Sequence, residues 1–377
     1  MKILSVEAFV VSQKLDAPFS FSQWSYDRRS VCLTRIEAED GTAGWGEGYG
    51  PASVVKSGVE MLAPLIIGMN AMEIGRIWQH MYLKTLDFSR SGVLLASISS
   101  IDIALWDLKG KLLEQPIHSL LGGKRRKRIQ VYATGMYFTE GGNLERKLAD
   151  EAKSYVDQGF ELLKMKVGHS LDQDRRNVES VRAAIGDEIK LMVDANHAYN
   201  FKEARELGSV LEDQNIGWFE EPLSPEDYEG YRRLRESLKV PIAAGECEYL
   251  IYGFKRLFEG KCVDIAQPDA CGTGGLTEML RIAALARSFH LELAPHCWGT
   301  GIAFAAGLHF LSTLDSLPGR IFNREPIFEM DRTENPLRDE LTQPAFKAAS
   351  GSVQLSDRPG LGVDVDLSLL QAYSEPV

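Results

Sequence analysis

Lys190-Leu191-Met192-Val193-Asp194-Ala195-Asn196 is a short apolar run that ends in an acid. The pattern returns as Gly217-Trp218-Phe219-Glu220-Glu221-Pro222 and again as Ile242-Ala243-Ala244-Gly245-Glu246. Asp194, Glu220 and Glu246 are thus separated by 26 residues in both intervals. That length holds one strand, a turn and one amphipathic helix, so the spacing predicts consecutive β/α units of a parallel sheet.

The same texture extends in both directions. Apolar strand candidates fall at 130–138, 162–167, 190–195, 217–220, 242–245, 263–267, 291–295 and 321–330, with helical periodicity at 145–158, 172–185, 202–214, 225–237 and 277–288. Eight strands alternating with helices predict an α/β fold built on a TIM-type (β/α) barrel. Upstream, 2–12 and 30–38 read as strands, the second turning through Glu39-Asp40-Gly41 into Trp45-Gly46-Glu47, and 52–66, 71–86 and 92–113 read as helices. The expected organisation is an N-terminal α+β domain over 1–125, a barrel over 126–340 and a tail over 341–377. The tail's Pro359-Gly360-Leu361-Gly362 turn and edge-like Val363-Asp364-Val365-Asp366 suggest a return to the first domain. The basic run Lys124-Arg125-Arg126-Lys127-Arg128 sits at the expected junction and reads as a solvated connection, not a nucleic-acid patch.

The 377 residues are 44% hydrophobic and 25% charged, ordinary for a two-domain globular chain. With 42 basic and 53 acidic residues the formal charge is −11, which repels nucleic acid and anionic membrane and requires local positive charge to hold an acidic substrate. No apolar stretch approaches the roughly 18 residues of a membrane span, and Met1 to Leu15 alternate like a strand, so a cytoplasmic protein is expected. Five scattered cysteines without a C-x-x-C pair read as reduced.

Barrel enzymes carry their chemistry at the C-terminal strand ends. Those ends here hold Lys164-Met165-Lys166, Asp194, Glu220, Glu246, Asp269, His296 and Glu329. Three adjacent carboxylates repel unless a cation lies among them, and all-oxygen ligation favours Mg²⁺ first and Mn²⁺ second. Alternation along an extended chain turns Glu221 away from Glu220 and makes Glu220 the preferred ligand. Lys164 and Lys166, two apart, share the interior face, where a second lysine and a metal lower an ammonium pKa towards that of a base. Asp269 fixes the His296 tautomer, giving a second base or acid facing Lys166. Such a set suits removal of the proton next to a carboxylate, the enediolate charge being stabilised by metal and Lys164.

These residues together resemble the enolase superfamily, and within it the mandelate racemase/muconate lactonizing enzyme group. The K-x-K at Lys164 and Lys166 and the Asp269–His296 dyad resemble the mandelate racemase subgroup; muconate-lactonizing and dipeptide-epimerase relatives have a lysine where this chain has Asp269. The resemblance implies a modified (β/α)7β barrel with an N-terminal α+β capping domain. It also implies metal ligands Asp194, Glu220 and Glu246, bases Lys166 and His296, and Glu329 as the strand-eight acid with Glu325 as its rival. Tyr26-Asp27-Arg28-Arg29, Asp194-Ala195-Asn196-His197, Pro295-His296-Cys297-Trp298 and Glu329-Met330-Asp331-Arg332-Thr333 look similar to galactarolactone cycloisomerases. By that likeness Asn196, His197, Tyr26, Arg28, Arg29 and Trp298 contact substrate, Arg28 or Arg29 gripping a distal carboxylate bidentately. The implied function is an isomerase or lyase acting on an acid sugar or its lactone by α-proton abstraction and β-elimination, in a homo-oligomer. A racemase or epimerase of a 2-hydroxy acid is the alternative. A silent scaffold would lack a ligand or base, and none is missing.

Overall fold

The structure is a computed structural model and describes residues 1–315 and 325–374. Three antiparallel strands open the chain: β1 (Ile3–Ser20), β2 (Ser25–Ala38) and β3 (Ala43–Gly48). Helices α1 (Ala52–Ile66), α2 (Ile74–Lys84), α3 (Val93–Leu112) and the short α4 (Ile117–Leu120) follow. β3 reads Gly44-Trp45-Gly46-Glu47-Gly48, and its three glycines line the face against α3. A Cβ at Gly46 would fall 1.9 Å from the Ser100 carbonyl oxygen, so only glycine allows backbone to meet backbone there.

Seven strand–helix units and a last strand come next: β4 (Arg128–Gly135), α5 (Leu144–Asp157), β5 (Leu162–Lys166), α6 (Leu171–Ile185), β6 (Lys190–Asp194), α7 (Phe201–Asp213), β7 (Phe219–Glu220), α8 (Tyr228–Ser237), β8 (Ile242–Ala244), α9 (Leu250–Glu259), β9 (Ile265–Ala266), α10 (Gly275–Ser288), β10 (Glu292–Leu293), α11 (Gly301–Thr313) and β11 (Ile327–Asp331). The strands run parallel in chain order, and β11 returns beside β4, which makes the expected (β/α)7β barrel. The strand expected at 321–330 is observed from Ile327; residues 321–324 lie outside the described residues. Helices start where the sequence offers caps: Asn143, Ser170, Asn200 and Asp227 each accept a backbone N–H of the first turn of α5 to α8. α11 is buried on every side, so it lacks the polar face that periodicity reads.

Inside the barrel, one residue per strand position forms a floor: Tyr132, Leu162, Met192, Trp218, Ala243, Ile265 and Ala294, with Ile327 packed against them. Side chains alternate along a strand, so the next inward positions, two residues on, stand in a layer above this floor. They include Thr134, Lys164, Asp194, Glu220, Gln267, His296 and Glu329, all buried.

The chain closes with α12 (Pro336–Asp339), β12 (Thr342–Gln343), β13 (Ser352–Gln354), β14 (Asp364–Val365) and α13 (Leu367–Tyr373). β13 adds antiparallel to β4, while Leu361 donates its N–H to Asp107 of α3 at 2.8 Å and Val11 of β1 bridges to Ser374. The basic run is tied down more than a solvated connection requires. Lys124 pairs with Asp357, Arg126 with Glu325, and Arg125 with Asp315 at 2.7 Å.

The cap's hairpin runs further than its apolar pattern indicates. β1 and β2 stay paired from Ile3↔Ala38 to Ser20↔Ser25, past a register shift after Lys14, because Phe19 and Tyr26 meet across the strands with ring centroids 5.5 Å apart. The tip lies on the barrel: Ser20 and Phe138 exchange backbone hydrogen bonds of 2.8 Å, and Ser22 and Gln23 donate to the Asn196 carbonyl at 3.0 and 2.7 Å. On the other side α3 meets α10, where Asp102 accepts from the N–H and hydroxyl of Thr277 at 2.9 and 2.6 Å.

Burial pushes the Asp102 carboxyl up to about 7 against the lowering effect of the Thr277 bonds. A folded pKa above the unfolded value of ~3.9 contributes stability that is full below ~pH 4 and lost as pH rises through about 7. The stability of the parent relative to Asp102→Asn should therefore be highest at about pH 4 and fall steadily up to about pH 8, by on the order of a few kcal/mol at most. A difference independent of pH in calorimetric scans would contradict the assignment.

Candidate functional site

β5, β6, β7 and the turn after β8 deliver polar side chains to one point. One carboxylate oxygen from each of Asp194, Glu220 and Glu246 lies within 4.8 Å of the others, and all three residues are buried. Glu220 is fixed by the indole N–H of Trp218 at 2.9 Å and the amide of Gln267 at 2.6 Å. Lys164 reaches Glu220 at 2.5 Å, Glu329 at 2.9 Å and Asp194 at 3.6 Å. Lys166 donates to Asp194 at 2.5 Å and to Asn196 Oδ1 at 2.8 Å. Glu329 also accepts from Thr134 at 2.7 Å and from the Cys297 N–H at 3.1 Å, whereas Glu325 lies exposed at the surface on Arg126.

On the opposite side of the triad His296 Nδ1 lies 2.6 Å from Asp269 and Nε2 lies 3.4 Å from Glu246. Asp269 is itself held by the Cys271 N–H at 2.6 Å, and Tyr49 of the cap meets the imidazole edge-on with centroids 5.2 Å apart. Five carboxylates (Asp194, Glu220, Glu246, Glu329, Asp269) thus face three cationic side chains (Lys164, Lys166, His296), and 5 − 3 leaves two negative charges to be balanced. Three convergent oxygens and a deficit of two fit a hard divalent cation.

The pKa directions follow from this crowding. Burial and the neighbouring acids push Glu220 up despite Lys164, and Glu246 up despite His296. Asp194 is held well below the carboxylate range, the two lysines overriding its burial. Among the protein's own groups, burial and Lys164 lower Lys166, but Asp194, Glu246 and Glu220 together outweigh them and raise it; the expected lowering belongs to the site with a cation among the carboxylates. Lys164 is raised likewise. His296 is raised to about 10, burial being overcome by Glu246 and the Asp269 bond.

Several expected contacts fall differently. Glu221 does not continue an extended strand: its φ is +41°, and its carboxylate sits 3.0 Å from His197 Nε2 and 3.5 Å from the Asn196 amide. His197 turns its other nitrogen to the Leu223 carbonyl at 3.0 Å, so both ring nitrogens face protein atoms. Arg29 is buried in an ion pair with Asp331 and its guanidinium stacks 3.8 Å over the Trp298 ring, while Arg28 is exposed. Asp331 is shared between Arg29 and Arg338, the latter at 3.1 Å, and Arg29 Nη1 is buried with no hydrogen-bond partner among the described residues. Tyr26 and Trp298 join Phe19, Phe21 and Tyr137 in an aromatic cluster, and Lys166 Nζ lies 5.1 Å from the Tyr137 centroid and 5.7 Å from that of Phe21. Thr134, Trp218, Gln267 and Tyr49 were not among the residues read from sequence. The two-residue alternation from Trp218 to Glu220 and from Gln267 to Asp269 is the signal that marks two of them.

Residues 5–122 match the family model of the mandelate racemase/muconate lactonizing enzyme N-terminal domain, and residues 147–369 match that of the enolase C-terminal domain-like region. The chain is 38% identical to the D-galactarolactone cycloisomerase of Agrobacterium fabrum over 376 residues, covering 100% of each. It is 49% identical to the 3,6-anhydro-D-galactonate cycloisomerase of Zobellia galactanivorans, whose crystal structure superposes with a TM-score of 0.91 over 100% of both chains. A racemase from Streptomyces coelicolor solved with bound magnesium is 27% identical, with a TM-score of 0.88 over 99% of this chain and 100% of that one.

Asp269→Asn keeps the shape of the dyad but removes the charge behind the imidazolium. The His296 pKa should then fall by at least about one unit in an NMR titration of the protein without added metal. An unchanged value would show that Asp269 does not stabilise the charged ring.

Proposed function

The chain belongs to the mandelate racemase/muconate lactonizing enzyme family of the enolase superfamily, and on that premise we propose that it opens the ring of a cyclic acid sugar. It does so by removing the proton α to the carboxylate and expelling the ring oxygen at the β position. The observation that carries the reading is the carboxylate triad flanked by Lys166 and His296 beneath an aromatic roof. Asp194, Glu220 and Glu246 would hold Mg²⁺, with Mn²⁺ as the substitute. Such an ion supplies positive charge for the enediolate that forms when a carboxylate loses its α-proton.

The roles of the two flanking groups follow from their partners. Asp194 is shared between Lys166 and the triad; once its charge is committed to the triad, Lys166 is left with burial and Lys164, both of which favour the neutral amine. Lys166 is the base. His296 keeps Asp269, which lies outside the triad, and so remains an imidazolium able to protonate the departing oxygen. Lys164, held by Glu220 and Glu329, stays charged and faces the developing enediolate. The α C–H and the β C–O bonds break, a C=C bond forms, and the proton from His296 goes to the ring oxygen. That oxygen remains attached at its other end, so the product is an isomer that tautomerises to a 2-keto-3-deoxy acid.

The shape of the roof supports a monoacid ring. Phe19, Tyr26, Tyr137 and Trp298 present carbon surface, which suits the C–H face of an anhydro ring better than a second carboxylate. With Mg²⁺, a 3,6-anhydro-aldonate should be converted faster than a galactaric acid lactone, with a 2-keto-3-deoxy acid detected by NMR. Deuterium exchange in D₂O without net product would instead favour epimerisation.

Two sets of variants test the parts. Glu246→Gln should weaken Mg²⁺ binding at least about tenfold by calorimetry while leaving the fold intact, as should Asp194→Asn and Glu220→Gln; parent-like affinity in Glu246→Gln would remove the triad from the mechanism. Lys166→Ala should lose α-deuterium wash-in, whereas His296→Asn should retain wash-in and lose product. The reverse pattern would exchange the two roles.

A further inference from the structure

A second and chemically different donor set stands beside the triad. His197, Glu221 and Cys247 follow Asp194, Glu220 and Glu246 in the loops after β6, β7 and β8. His197 Nε2 lies 3.0 Å from Glu221 Oε2 and 3.5 Å from Cys247 Sγ, and one donor atom from each residue falls within 4.8 Å of the others. The loops that carry them are tied through their backbones, since His197 donates its N–H to the Glu221 carbonyl at 2.7 Å and Tyr199 donates to that of Pro222 at 3.2 Å.

The tautomer decides what this set can do. The Leu223 carbonyl 3.0 Å from Nδ1 can only accept, so the hydrogen of a neutral ring sits on Nδ1 and the lone pair of Nε2 points at the carboxylate and the thiol. Ligating histidines are oriented in this way, one nitrogen on the metal and the other donating to a carbonyl. Bonds of about 2.0–2.1 Å to nitrogen and oxygen and about 2.3 Å to sulfur, at tetrahedral angles, place ligand atoms roughly 3.3–3.6 Å apart. The observed 3.0 and 3.5 Å need only small adjustment. Without a metal the three groups pair among themselves, His197 with Glu221 and the Cys247 thiol with the Glu221 carboxylate, so the donors already converge on one point.

We propose that His197, Glu221 and Cys247 form a site for a borderline divalent cation, Zn²⁺ first, distinct from the oxygen-only triad. Imidazole and thiolate select such ions, whereas three carboxylates select Mg²⁺. The His197 side chain keeps 13% of its surface exposed, which gives an ion and a fourth, water ligand a way in. Occupancy bears on the reacting groups by a short path, because Glu221 Oε2 also approaches the Asn196 amide at 3.5 Å and Asn196 Oδ1 accepts from Lys166.

Co²⁺ is the probe, since a thiolate bound to it gives a sulfur-to-cobalt charge-transfer band in the near ultraviolet that an all-oxygen site cannot give. Titrated into the full chain saturated with Mg²⁺, Co²⁺ should produce that band at one equivalent, and Zn²⁺ should displace it. Cys247→Ser should lose the band while keeping its Mg²⁺ affinity by calorimetry, and His197→Gln should require at least about tenfold more Co²⁺. No band in the parent, or an undiminished band in Cys247→Ser, would overturn the proposal, leaving His197 and Glu221 as an ion pair. Because the readout is thiolate ligation and not turnover, it stands or fails independently of the ring-opening reaction.

Discussion

Burying charge without water is the constraint on which the rest of this structure depends. Lys164 is fully buried, as are Asp194 and Glu220, and each would be prohibitively costly alone. They are tolerable only as a set in which every charge has a partner at hydrogen-bonding distance. Removing one partner strands the others, so the cluster enforces its own geometry. The short strands β7 to β10 contribute little ladder of their own; the polar layer and the apolar floor beneath it position their ends.

The cap is joined to this barrel by the same means. Glu47, pushed up to about 7 mainly by burial, accepts from the N–H groups of Thr300 and Ala303 at the start of α11. Asp107 accepts from Trp45 and from Leu361 of the tail, and Asp102 accepts from α10. Three buried acids of the first domain therefore bind backbone that would otherwise be unsatisfied at three other elements. Domain, barrel and tail are one polar network as much as one apolar core.

What the sequence revealed and what it concealed divide along a physical line. The barrel was legible because its signal is local: an apolar run, an acid, and 26 residues to the next acid. Glu329 and His296 were legible for the same reason, as polar residues ending apolar runs. The partner of Arg29 was not, because Asp331 lies 302 residues away and no local pattern joins them. The ionic grip on Lys166 was not legible, since residue types alone give neighbours but not distances, and Asp194 lies 2.5 Å from it. The left-handed turn at Glu221 was hidden by a rule of alternation that holds only while the strand lasts, and β7 ends one residue earlier.

The floor of Tyr132, Leu162, Met192, Trp218, Ala243, Ile265 and Ala294 has one more consequence. Carbon lies directly beneath Lys164, Asp194 and Glu220, which are fully buried, so their fields are little screened from below and act at greater strength on whatever binds above them.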